Sequence, residues 1–177
     1  MRVAESQSGY GPAPTGLAAA RQAKKELALA SKRVMDVVLA WVGLVILSPV
    51  LLLIALIIKL DSRGPALYRQ ARHGLDGQVF SLIKFRTLRL ETCDPPTGAC
   101  QQVTRDDHRV TRIGRLLRWT SLDELPQLVN VLRGEMAIVG PRPHAIAHND
   151  DYAARIDGYL ERHAVRPGIT GWAQVNG

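Results

Sequence analysis

The chain has 177 residues, a formal net charge of +7 and two cysteines. That length suits one domain plus a membrane segment, and two cysteines are too few for a disulfide framework or a thiolate zinc site. Aromatic residues make up only 5% of the chain, which argues against stacking platforms for single-stranded nucleic acid, while the basic balance points to anionic lipid or phosphorylated substrates.

Residues 1–17 (MRVAESQSGYGPAPTGL) are rich in Gly, Pro and Ser and carry no apolar period, so the expectation is a disordered tail. Residues 18–33 (AAARQAKKELALASKR) are strong helix formers with a basic face, read as a juxtamembrane helix. Residues 34–60 follow, with WVGLVILSPVLLLIALIIKL at their centre. Val37 to Ile58 is roughly 22 residues, about 33 Å as a straight helix, enough to span a hydrocarbon core of about 30 Å. Two features argue for entry and return on the same side. Pro49 deletes a backbone donor in the middle of the run, and Ser48 can bond a freed carbonyl, which makes a bend tolerable in lipid. Positive charge also flanks both ends, Lys32 and Arg33 before and Lys59, Arg63, Arg69 and Arg72 after, so neither end favours export. A proline-kinked spanning helix has the same composition and stays open at this point. The apolar run starts too late and runs too long for a cleavable signal peptide.

Two extended runs, around residues 66–72 and 78–86, flank GLDG and predict a β-hairpin. Residues 91–107, with Cys93 and Cys100, read as a loop holding two reduced thiols, with a disulfide within the loop as the alternative. Val110 to Arg118 predicts a short basic helix. Leu125 to Arg133 places Leu125, Leu128, Val129 and Leu132 on one helical face, with Gly134 as its stop. Met136 to Val139 reads as extended. Asn149 to His163 carries Tyr152, Ile156, Tyr159 and Leu160 on one stripe and predicts another amphipathic helix. The fold class expected is α+β, mostly helical, with a re-entrant membrane helix hairpin of two half-helices, one β-hairpin and amphipathic interfacial helices. Residues 61–177 are expected to form one domain.

The stretch LLRWTSLDELPQL (116–128) concentrates the chemistry. Ser121 and Glu124 fit a capping box, and acidic residues favour helix starts, which is reading enough for Asp123 and Glu124 without any catalysis. A helix that starts at Asp123 places Pro126 in its first turn, where no donor is needed. Asp123 would then sit at the positive helix end with Arg115 and Arg118 upstream, a setting that favours an ionised carboxylate and attracts phosphate. Lys84 and Arg86 in IKFRT, Arg109 and Arg112 in DHRVTRIGR, and Arg142 in GPRP are either a solvated basic surface or a clamp on a diphosphate. No P-loop or dinucleotide-binding glycine pattern is present. The five histidines show no metal-ligand spacing beyond His144 and His148, four residues apart.

Several blocks then resemble, in order, the bacterial sugar transferase family of monotopic polyprenyl-phosphate phosphoglycosyl transferases. They are KRVMD (32–36), the apolar run broken by SP, RGP (63–65), KFRT (84–87), DHRVTRIGRLLRWTSLDELPQLVNVLRG (107–134), VGPRP (139–143) and RPGITGWAQVNG (166–177). The resemblance implies that residues 61–177 are a catalytic domain on the cytoplasmic face of the bacterial inner membrane, anchored by a re-entrant helix bent at Ser48–Pro49. It implies transfer of a sugar-1-phosphate from a UDP-sugar to undecaprenyl phosphate with release of UMP, the first membrane step of exopolysaccharide, O-antigen or glycoconjugate synthesis. By the same resemblance Asp123 is the nucleophile, carrying a phosphoglycosyl intermediate. Glu124 holds the required Mg²⁺, with Asp123 open as a second ligand. Lys84, Arg86 and Arg118 match basic positions of the active-site blocks, and Arg142 falls to the nucleotide side. Asp36 is expected to pair with Lys32 or Arg33 one turn back, since an unpaired carboxylate there is costly. Several larger relatives associate, so a homo-oligomer is an allowed partner. The loop at 91–106 matches no family block. The multi-span N-terminal region of larger relatives does not precede these blocks, and many relatives continue past the last one, so the expectation is a compact form or an isolated catalytic domain.

Two other function classes compete. A non-enzymatic membrane adaptor would use the basic face and amphipathic helices alone. A nucleic-acid binder would rest only on the basic isoelectric point, with no reading motif, and nucleic acid is not among the expected partners.

Overall fold

The computed structural model describes residues 16–92, 103–104 and 107–176. The chain divides into two units, residues 1–34 and 35–177. Most of the expected N-terminal tail and the cysteine-bearing part of the loop lie outside the described residues.

The expected juxtamembrane helix and the apolar segment are one element, α1 (Gly16–Asp61), with Pro49 inside it, so the expected pair of half-helices does not appear as two elements. Pro49 has no N–H to give to the carbonyl four residues back, and that carbonyl belongs to Val45. Ser48 Oγ donates to the Val45 oxygen at 2.8 Å, which fills the vacancy locally. In the first unit most of α1 is exposed, apolar Leu17, Leu27 and Leu29 included, and Gln22 Nε2 donates to Glu26 Oε1 at 3.0 Å.

In the second unit α1 presents a seam to the domain. Ala40 and Leu44 pack with Phe80, Leu82, Leu128, Val131 and Met136. Leu51, Ile54, Ala55 and Ile58 pack with Ala66, Phe85, Ile113, Leu117 and Leu122. Residues three and four apart on a helix share a face, which is why one stripe serves both clusters. Most other apolar side chains of this stretch remain exposed, among them Val38, Trp41, Val45, Ile46, Leu52, Leu53 and Leu56. Asp36 is buried, and its Oδ1 accepts the backbone N–H of Ile138 at 3.1 Å, so this carboxylate ties α1 to the domain. That role was not among the sequence expectations.

The hairpin forms as read, β1 (Leu67–His73) antiparallel to β2 (Val79–Phe85), with Leu67 opposite Phe85 and His73 opposite Val79. Helix α2 (Arg112–Trp119) is capped by Thr111, whose Oγ1 accepts Gly114 N–H at 2.9 Å. The expected helix over 125–133 is two pieces, a 3-10 segment Leu122–Gln127 and then α3 (Leu128–Arg133). Ser121 is left-handed (φ 58°, ψ 14°) and its side chain makes no cap, so the Ser121–Glu124 capping box does not form. The left-handed residue closes the turn out of α2, with Ser121 N–H on Arg118 O at 3.3 Å, and so cannot also hold the extended backbone of an N-cap.

Strand β3 (Ala137–Val139) pairs in parallel with β4 (Gly168–Thr170), a partner the sequence reading missed. The two backbones approach so closely that a Cβ on Gly168 would sit 2.0 Å from Gly140 N. The helix expected over 149–163 is α4 (Ile146–Arg155) and a separate 3-10 segment, Tyr159–Ala164. Gly158, at φ 73°, breaks the period between them. The last described element is a short α5 (Trp172–Asn176).

One buried side chain completes the second edge of β2. Asn130, fully buried on α3, accepts Ile83 N–H at 3.0 Å through Oδ1. Its Nδ2 donates to Ser81 O at 2.8 Å and to Glu135 Oε2 at 2.6 Å. Asn130 thus stands in for a third strand and fixes α3 against β2 beside Lys84.

Candidate active site

The 3-10 segment 122–127 lies against β2, and that contact brings Asp123 to Lys84. Asp123 is only 7% exposed, on the wall of a cleft of about 550 Å³ with Arg118, Ser121, Glu124, Arg142, Thr170 and Gln174. A second cleft of about 330 Å³ is lined by Tyr68, Arg72, Lys84, His144, His148 and Tyr152. Arg118 and Arg142 line both. The expected set of Asp123, Glu124, Lys84, Arg118 and Arg142 therefore converges, although its members are spread over four separate elements and loops.

The electrostatics differ from the sequence expectation at Asp123. Burial pushes its carboxyl above the ordinary range and neighbouring Glu124 adds to the rise, while Lys84 and Arg118 pull it back. The forces that favour the ionised form are Lys84, then Arg118, then a backbone hydrogen bond, so the cations outweigh the helix-start contribution the sequence suggested. Lys84 shows the complementary effect. Burial lowers it first, Arg72 next and Arg118 further, opposed by Asp123 and Glu124. Its Nζ also lies 5.5 Å from the centroid of the Tyr68 ring. Arg142 reaches across from the β3–α4 connection, and its Nη2 donates to Glu124 Oε1 at 2.9 Å.

Arg86 also lines the smaller cleft, but its guanidinium is committed. It is 2% exposed and donates to Arg63 O, Ser62 O and Ser62 Oγ, which closes the C-terminal end of α1. Gly64, at φ 116°, leaves the space, for a Cβ there would meet Arg86 Nη1 at 2.3 Å. The sequence hides this because Lys84 and Arg86, two apart in KFRT, would share a face in a continuing strand, whereas β2 stops at Phe85. Arg109 is likewise committed, in a two-nitrogen contact with Asp107 that holds the Asp107 carboxyl down to about 2. His144 precedes α4 and is not one turn from His148 on a helix face. Among the described residues no group of three or more His, Cys, Asp or Glu is arranged to hold a metal.

Magnesium needs less than that from the protein. It keeps several waters and is held by one or two carboxylates plus substrate phosphates. Asp123 and Glu124 supply two adjacent carboxylates on an open cleft wall, and Glu124 helps raise the Asp123 carboxyl, which is a donor set that a hard cation relieves. The residues present fit the ion.

Sequence reasoning did not place Arg72, Ser121, Asn130, Tyr159 or Arg162 at this site. Arg72 was read as a flanking cation, Ser121 as half of a capping box and Tyr159 as part of an amphipathic stripe, while Asn130 and Arg162 were not singled out.

Comparison with known proteins gives a family match, "bacterial sugar transferase", over residues 27–177. A protein of Escherichia coli K12 named UDP-glucose:undecaprenyl-phosphate glucose-1-phosphate transferase is 54% identical over 146 residues, 82% of this chain and 31% of its own length. One of the same name from Caulobacter vibrioides is 56% identical, covering 82% of this chain and 54% of its own length. A UDP-N-acetylgalactosamine-undecaprenyl-phosphate N-acetylgalactosaminephosphotransferase of Aeromonas hydrophila is 42% identical, over 81% of this chain and 33% of its own. The matched part of the chain spans 31% to 54% of the length of these relatives.

Proposed function

The chain belongs to the bacterial sugar transferase family, and on that premise we propose that it transfers a sugar-1-phosphate from a UDP-sugar to undecaprenyl phosphate. The observation that carries this reading is Asp123, buried and open to a cleft, with Lys84 and Arg118 close enough to couple to its charge.

An Asp123 carboxylate oxygen attacks the sugar-bearing phosphorus of the donor. A new phosphorus–oxygen bond forms, the bond to the bridging oxygen breaks, and UMP leaves. The acceptor's phosphate oxygen then attacks the same phosphorus, the aspartyl bond breaks, and the carboxylate is regenerated with the sugar on a lipid diphosphate. One anhydride replaces another, so the exchange is near thermoneutral, and an acyl phosphate keeps the group activated between the steps. Asp123 must be ionised to act, and Lys84 and Arg118 offset the burial that opposes this. They also face the charge that builds on the phosphoryl oxygens. Arg142, tied to Glu124 on the wall shared by both clefts, is placed to meet the nucleotide phosphates. Magnesium bound by Glu124 and Asp123 would neutralise donor phosphate charge.

The same proposal covers location, the cytoplasmic face of the bacterial inner membrane, where the step opens exopolysaccharide or related glycoconjugate synthesis. Helix α1 is long and apolar enough to cross a bilayer. What supports a return to the same side is its seam. Asp36 near one end of the apolar run and Ile58 at the other both contact one domain, which a straight span would hold about 30 Å apart across hydrocarbon. Trp119 on α2 and Trp172 on α5 are 83% and 82% exposed, as side chains meant for an interface are.

The test is incubation of the detergent-solubilised chain with Mg²⁺, undecaprenyl phosphate and a panel of UDP-sugars, reading UMP. The expected result is release that Asp123→Asn abolishes, and a labelled phosphosugar trapped on the wild-type protein. Undiminished release from Asp123→Asn would remove Asp123 as nucleophile, and the absence of turnover with every sugar would leave a lipid-binding adaptor.

A further inference from the structure

One wall of the 330 Å³ cleft takes no part in the transfer steps above. His144 Nδ1 receives the Tyr159 hydroxyl at 2.5 Å and Arg162 Nη1 at 3.0 Å. A ring nitrogen that faces two donors carries the lone pair, so the imidazole is neutral with its proton on Nε2. The same Arg162 nitrogen reaches the Tyr159 oxygen at 2.7 Å, and its guanidinium carbon lies 4.9 Å from that ring's centroid. Tyr152 closes the cluster, its ring 5.4 Å from His144 and 5.7 Å from Tyr159. Arg162 Nη2 donates to the backbone oxygen of Arg142. From β1, Arg72 Nη1 donates to Pro143 O at 3.2 Å. Residues 142–144 are thus gripped from two sides, and the Arg142 guanidinium extends from that grip to Glu124.

We propose that Arg162 and Tyr159 are positioning residues for the nucleotide-sugar cleft, holding the backbone from which Arg142 reaches Glu124 and fixing His144 as a neutral donor to a hydroxyl or carbonyl oxygen of the UDP-sugar. This rests on the transferase reading. The physical case is a contrast of charge. Arg72, Lys84, Arg118 and Arg142 bind phosphate whatever it carries, whereas one neutral N–H of fixed direction distinguishes among uncharged oxygens. The surroundings keep His144 in that state. Burial, then Arg162, Arg72, Arg142 and His148, lower it to about 4, with the neutral Tyr152 and Tyr159 making up the remaining wall.

The experiment measures kcat and KM for each UDP-sugar between pH 5 and 9 in full chains carrying Arg162→Met, Tyr159→Phe, His144→Leu and His144→Gln. His144→Leu is expected to raise KM roughly tenfold to a hundredfold with a smaller change in kcat, and His144→Gln, which restores an N–H, to recover much of the loss. Arg162→Met is expected to raise KM, lower kcat and add an inflection in KM on the acid side, as His144 loses its nearest cation and becomes protonatable. A role in folding alone would not add that inflection. If Arg162→Met fails to fold, the smaller changes at His144 and Tyr159 carry the test. Wild-type KM values and pH profiles in His144→Leu and Tyr159→Phe would overturn the inference while leaving the transferase standing. A wild-type chain that turns over no UDP-sugar would overturn the transferase reading, and the inference with it.

Discussion

Asp123 sits where a carboxylate is expensive to ionise, and that cost has a measurable sign. Its folded value lies above the ordinary carboxylate range, chiefly through burial. A group raised in this way contributes stability below its unfolded value, near 3.9, and loses it as pH rises through the folded value. At neutral pH the ionised side chain is therefore a net burden on the fold. Asp123→Asn should raise the thermal midpoint by about 2–4 °C while abolishing UMP release, and an unchanged or lowered midpoint would show that the cations fully offset the burial. Lys84 is the partner through which rate and ionisation are linked. Lys84→Met should cut kcat/KM by about 10²–10³-fold and move the acid limb of the pH profile upward, because Asp123 loses the cation that holds its proton off. A loss of rate with an unmoved acid limb would assign Lys84 to phosphate contact alone.

Among the elements, the 3-10 segment and the Asn130 plug decide whether these residues meet. Asn130→Leu keeps most of the volume and strands the Ile83 N–H and Ser81 C=O it now satisfies. The expected cost is about 2–4 kcal/mol, read as a lowered denaturant midpoint, and a change within a few tenths would mean that water replaces the amide. Legibility at this scale followed local chemistry. The GLDG turn between extended runs gave the hairpin almost to the residue, and the Ser-Pro pair announced the carbonyl repair at Val45. The α3 region was misread because its apolar period continues through Pro126 while the backbone tightens ahead of it, and a left-handed serine leaves no mark in composition. The β3–β4 pair was invisible for a different reason. Its strands are three residues each and about thirty residues apart, so no periodicity links them. Asn130 reads as a polar interruption of a helix face, and only its burial reveals what it does. The acidic pair, Lys84, Arg118 and Arg142 were legible as a set only because they lie in ordered blocks that resemble one family, and Arg86 shows the limit of such blocks.

For the molecule as a whole, the decisive question is which way α1 leaves the bilayer. With Cys93 and Cys100 replaced by serine, single cysteines at Leu29 and Arg63 should react with an impermeant reagent from the same side of sealed vesicles. Labelling from opposite sides would make α1 a spanning helix and move the domain's partners accordingly. The seam bears on a practical matter too. Ala40, Ile54 and Ile58 belong to the domain's own interior, and Asp36 is bonded into β3. An excised water-soluble enzyme that begins after residue 61 would therefore open two apolar clefts where the helix had been. Solubilising this protein is a problem of clothing its outer greasy stripe, and amputation is the wrong operation.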